Sequence, residues 1–220
     1  MTSIKKIIFL FYLISFSVSG QNPDSEYIKV NGKNISLEEL LQQYIRIPSV
    51  SGNEKEAGDF IKSVCKENGL HITAFGEENG FYNFAASVFP LSDNKPNIVF
   101  LNHIDVVPES NENDFGKFSG KISNGNIYGR GAFDNKGAAI MQLGGMIKFL
   151  KDQPLEKSEY NVTFLAVSCE ETQCEGGVNY VIDNFLDLLN PAVVIGEGPT
   201  ELSTLIGGDF SNPIFAVSVA

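Results

Sequence analysis

The sequence predicts an α/β domain, a three-layer sandwich with a mainly parallel central sheet. Helical and strand-like apolar patterns alternate along the chain, as βαβ units require. Three of the apolar strands stop in polar clusters, "NHID" (102–105), "SCEE" (168–171) and "IGEG" (195–198). With 220 residues, 43% apolar and 20% charged, the chain holds enough material for one good core.

Residues 1–20 stand apart. Lys5 and Lys6 precede an apolar run from Ile7 to Val18 that Ser19 and Gly20 close, the layout of a secretory signal peptide. A membrane anchor is the competing reading, although the run is short for a span. Ser36 and Glu39 then make a capping box, and Leu37, Leu40, Leu41, Tyr44 and Ile45 recur at helical spacing. "IPSVSGN" (47–53) ends that helix. A second helix carries Ala57, Phe60, Ile61, Val64 and Cys65 on one face and stops at Gly69. Strands follow at "HITAF" (71–75), "FYNFAASVF" (81–89) and "NIVFLNH" (97–103). Ile140, Leu143, Ile147 and Leu150 mark a third helix. "YNVTFLAVS" (160–168) is a buried strand, and a helix at "GVNYVIDNFLDLL" (177–189) leads to a last strand, "AVVIG" (192–196). No internal repeat, low-complexity tract or long linker interrupts this order.

The net charge is −11, and loss of Lys5 and Lys6 with a cleaved leader would deepen it to −13. Such a chain repels nucleic acid and anionic membranes, which excludes both as partners; solubility alone explains the acidity. Three cysteines is an odd number for an exported protein. Cys65 reads as a buried apolar residue on its helix. Cys169 and Cys174 either pair across a loop or remain thiols.

Strand ends in a parallel sheet are where ligands bind. His103 and Asp105 project to one side of their strand with Ile104 on the other, and a ligating imidazole needs its second nitrogen held by an acceptor. In "GRGAFDNKGA" (129–138), Gly129 and Gly131 permit an unusual backbone path to Asp134. That carboxylate either bridges two cations or caps the third helix. Glu170 and Glu171 adjoin where a strand ends; in a closed site their repulsion calls for a cation, whereas on a surface they are only a solvated pair. Glu197 adds a fifth acidic group at a strand end.

Taken in order, "NHIDVVP", "FSGKISNGNIYGRGAFDNKG", "CEETQCEGG" and "GEGPT" resemble the co-catalytic zinc metallopeptidases that include glutamate carboxypeptidase, aminoacylase, carnosinase and succinyl-diaminopimelate desuccinylase. The resemblance spans about residues 36 to 208. It implies a phosphorylase/hydrolase-like catalytic domain and two Zn2+ ions, with Co2+ or Mn2+ as substitutes. His103 and Glu197 would hold one ion, Glu171 the other, and Asp134 would bridge them across a cis peptide to Asn135. Asp105 would orient His103, and Glu170 would act as general base on a metal-activated water. The bond cut would be an amide in a small peptide or an N-acyl amino acid, and the stretch around "FSGKISNGNIYGRG" is most similar to the carboxypeptidase branch. These enzymes also use a late histidine and a lid-domain histidine. Here the histidines are His71, which reads as structural, and His103. The final "PIFAVSVA" resembles the first strand of the lid. The expected organisation is therefore a signal peptide (1–20), the N-terminal part of a catalytic domain (21–211) and the start of a truncated α+β lid (212–220). The product would be secreted or periplasmic, clear of the membrane after cleavage, with a homodimer through the lid as a further implication. The alternative is a non-catalytic exported remnant that binds metal or peptide.

Overall fold

The computed structural model describes residues 27–77, 81–108, 116–152 and 158–197. The expected leader and the expected lid strand lie outside these residues.

The first described element is a hairpin of β1 (Ile28–Val30) and β2 (Lys33–Ile35), turned by Asn31 and Gly32 at φ of 50° and 77°. Helix α1 (Leu37–Ile45) starts at Ser36, whose Oγ accepts the Glu39 amide at 3.2 Å. The Glu39 carboxylate accepts from Gln43 one turn on. Helix α2 (Lys55–Glu67) ends before Gly69, which sits at φ 88° where a side chain would be strained.

The central sheet contains β3 (His71–Phe75), β4 (Asn83–Ser87), β5 (Asn97–His103), β8 (Asn161–Val167) and β9 (Pro191–Ile195), in the order β3-β4-β8-β5-β9. Between β5 and β8 come a second hairpin, β6 (Lys121–Ser123) with β7 (Asn126–Tyr128), and helix α3 (Lys136–Asp152). Helix α4 (Val178–Leu189) links β8 to β9.

This sheet is mixed, which corrects the mainly parallel expectation. β5 pairs in parallel with β8 and β9, but β4 pairs antiparallel with both β3 and β8. A short connection joins β3 to β4 as antiparallel neighbours, and β8 enters between β4 and β5. The two three-residue hairpins also go beyond the sequence reading; an Asn-Gly pair flags each turn.

Alternate residues of the central strands enter different cores. Phe84, Ala86, Phe164 and Ala166 pack with Leu40 and Tyr44 of α1, Ile61 and Val64 of α2, and Leu143 and Ile147 of α3. Ala85, Val99, Leu165 and Val167 meet Val181 and Leu189 of α4 on the opposite face. Helices cover both faces, so the architecture has three layers. Cys65 is buried as a free thiol in the larger core. Among the described residues, no helix is long and apolar enough to cross a membrane.

Candidate metal centre

Strand register brings the polar clusters together. His103, the last residue of β5, lies beside Val167, the last of β8, while Ile195 at the end of β9 pairs with Phe100. Chain leaving β8 towards Glu170 and chain leaving β9 towards Glu197 therefore emerge on the side where His103 ends its strand. His71 opens β3, level with Ser87 and hence with Thr163 early in β8, so it stands at the other end of the sheet. That position fits its structural reading.

His103 and Asp105 are both buried, with side chains 2% and 0% exposed. The imidazole Nδ1 lies 2.9 Å from the Asp105 main-chain carbonyl and 3.5 Å from its Oδ1. A carbonyl only accepts, so Nδ1 carries a proton and Nε2 is the nitrogen left for a ligand. Nε2 faces Asp134 Oδ1 at 2.9 Å, Glu197 Oε1 at 3.5 Å and Glu170 Oε2 at 3.9 Å. A neutral Nε2 against carboxylate oxygens needs a second proton or a cation between them. Burial pulls the His103 imidazolium down, but Asp105, Glu197 and Asp134 outweigh it and push the group up to about 9. In the metal-free chain the proton takes that place.

Two sets of donor atoms each fall within 4.8 Å of one another: His103, Glu170 and Glu197 in one, and His103, Asp134 and Glu171 in the other. One imidazole nitrogen among carboxylate oxygens at these spacings suits a borderline or hard divalent cation. Burial raises the Glu170 carboxyl above its usual range, and the charges of Glu197, Asp105 and Asp134 push the same way against the pull of His103. Glu171 is raised as well, by burial and by Asp134. The peptide between Asp134 and Asn135 is cis, as the resemblance implied.

Asp105 does more than meet the histidine. Its Oδ1 accepts the Glu170 amide at 3.0 Å; its Oδ2 accepts the Glu171 amide at 3.1 Å and the Ser51 hydroxyl at 2.7 Å. Burial would raise its pKa, but these bonds and His103 hold it below the ordinary value. The mouth of the same loop is pinned by Asn83, whose Oδ1 accepts the Ser168 amide while its Nδ2 donates to the Gly176 carbonyl. Buried Glu54 accepts from the amides of Gly52 and Cys169. Cys169 and Cys174 form a disulfide across the loop, with Cα atoms 5.7 Å apart. Motif reading did not find Ser51, Glu54 or Asn83, because each is joined to the site by a tertiary contact that leaves no local pattern.

Lys136 was missed too, although it follows Asp134 closely in "DNKG". It is fully buried, and its ammonium donates to the Tyr44 and Ile47 carbonyls at 3.1 and 2.8 Å, 4.6 Å from the Tyr44 ring centre. Burial pulls Lys136 down to about 7. The carbonyls and the ring face favour keeping its proton.

Residues 99–207, which include His103, Asp105, Asp134, Glu170, Glu171 and Glu197, match the model of peptidase family M20/M25/M40. The chain carries a peptidase M20 family domain. The chain is 30% identical over 153 residues to succinyl-diaminopimelate desuccinylase of Rickettsia felis and 32% identical over 153 residues to that of Rickettsia typhi. Each match covers 67% of this chain, which spans only 39% of the relative's length. Two solved structures share its fold. The M20 family metallo-carboxypeptidase of Sulfolobus solfataricus superimposes with a TM-score of 0.64 at 24% identity, over 75% of this chain and 38% of its own. Human carnosine dipeptidase 1 does so at 0.57 and 18%, over 75% and 39%.

Proposed function

We propose that the protein is an exported, metal-dependent hydrolase that cleaves an amide bond in a peptide or an N-acyl amino acid, of the carboxypeptidase or deacylase type. The observation that carries this reading is the convergence of Asp134, Glu170 and Glu197 on the one free nitrogen of a buried histidine. His103, Asp134 and Glu197 would hold one zinc ion, and Asp134 and Glu171 would contribute to a second. When bound, the ions would bring the pKa of a water towards neutrality and polarise the scissile carbonyl.

The chain's own residues supply the rest. Asp105 fixes the His103 tautomer and, through two amides, sets where Glu170 and Glu171 begin. Glu170, with its carboxyl raised above the usual range, is matched to taking a proton from water and returning it to the leaving amine. Homodimerisation through a lid belongs to the same reading.

The test is hydrolysis by the purified protein of N-succinyl-diaminopimelate, N-acyl amino acids and short peptides, with chelator and with zinc restored. Expected is release of a free amine that stops on chelation and returns with zinc. A fully metal-loaded protein that cleaves none of these substrates would sink the proposal.

A further inference from the structure

Glu197 lies two residues beyond β9, its side chain 40% exposed, yet its carboxylate has a defined setting. Its Oε2 accepts a hydrogen bond from Asn135 Nδ2 at 2.9 Å, and its Oε1 faces His103 Nε2 at 3.5 Å. Asn135 is 1% exposed, and its own carbonyl accepts the Ala139 amide in the first turn of α3. The amide orientation is settled by chemistry. Turning it over would set Asn135 Oδ1 against a carboxylate oxygen, two acceptors with no proton between them. As oriented, Oδ1 finds no donor among the described residues, a costly state for a buried carbonyl. The side chain is thus held for the bond that Nδ2 makes.

We infer that Asn135 is a positioning residue for the metal centre: it ties down one oxygen of Glu197 so that the other alone is offered beside His103. The assignment rests on the reading of Glu197 as a metal ligand. A neutral donor suits this place, because Asp134, Glu170 and Glu171 already crowd negative charge near the histidine. An acceptor would repel Glu197, and an apolar residue would let it swing free. Partners behind a ligand commonly change metal affinity 10–100-fold.

Zinc titration calorimetry on the full chain, in a two-by-two set of wild type, Asn135→Leu, Glu197→Gln and the double variant, tests the assignment. Asn135→Leu is expected to weaken zinc binding roughly 10–100-fold. In the Glu197→Gln background the same change should cost little, because the tethered carboxylate is already gone. Thermal unfolding in chelator should be alike for wild type and Asn135→Leu. If Asn135→Leu lowers that unfolding temperature and leaves zinc affinity alone, Asn135 only braces the loop and the assignment falls. An equal loss of affinity in both backgrounds also overturns it. If Glu197→Gln itself binds zinc as wild type does, the ligand reading fails first, and the inference with it. Should Asn135→Leu not fold, the near-isosteric Asn135→Asp completes the same cycle and should bind zinc weakly, since it swaps a donor for an acceptor.

Discussion

The two side-chain oxygens of Asp105 receive bonds from Ser51, Glu170 and Glu171, and Oδ1 lies 3.5 Å from His103 Nδ1, so this side chain meets four neighbours at once. Glu170→Gln leaves that frame intact, and it should keep zinc while losing at least ~100-fold in rate, the usual scale for a positioned proton carrier. Glu171→Gln replaces a charged donor by a weaker one, so zinc affinity should fall along with activity. Asp105→Asn keeps one acceptor oxygen but turns an NH2 towards an amide or hydroxyl that needs an acceptor. It should therefore lose zinc affinity and about 1–3 kcal/mol of stability together. Metal analysis, kinetics and melting curves on the three purified variants separate these outcomes. If Glu170→Gln sheds zinc while Glu171→Gln keeps it, the roles of the pair are reversed, an outcome the closeness of Glu170 to His103 makes worth testing. At this scale the sequence displayed the groups that end strands, His103, Glu170 and Glu197, because a polar cluster after an apolar run is visible in one dimension. Ser51, Asn83 and Asn135 were not legible, since their work depends on which distant loop the fold lays against them.

Helix α3 and the loop before it form the element on which Asp134 rides. A Cβ at Gly137 would run into the carbonyl oxygen of Ala132, in the turn that carries Asp134. Gly137→Ala must therefore shift that turn and should lower zinc affinity as well as stability; unchanged zinc binding would show that the turn absorbs the methyl. Lys136, one residue earlier, joins the start of α3 to the carbonyl end of α1, where a cation is favoured. Lys136→Met preserves length but leaves the Tyr44 and Ile47 carbonyls without this donor. It should cost about 1–3 kcal/mol, read as a lower melting temperature with or without zinc. The helices and central strands were legible as periodic apolar stretches, but strand direction was not. β4 is buried throughout and β8 at every residue but Val162, so periodicity does not tell them apart although one runs against the other.

Over the whole molecule, charge links metal to stability. The chain is net −11, and three carboxylates face one imidazole nitrogen at the candidate metal centre. Without metal, the His103 proton offsets that repulsion. Its folded pKa of about 9 stands above the ordinary 6.5, so the stability it contributes is complete below 6.5 and is lost as pH rises through 9. Lys136 works in the opposite sense: pulled down to about 7 from 10.5, it favours the folded state increasingly as pH climbs between those values. Melting curves of the stripped protein alone would mix the two. The difference between zinc-loaded and stripped protein isolates His103, because Lys136 titrates in both. Zinc must displace the Nε2 proton, so its apparent affinity should fall about tenfold per pH unit as pH drops from 9 to 6.5. The zinc-induced rise in melting temperature should shrink accordingly, by about 1.4 kcal/mol of linked stabilisation per unit while zinc is in excess. Zinc stabilisation that stays constant over this range would mean that His103 is already neutral in the stripped protein, and that its proton does not stand in for the metal.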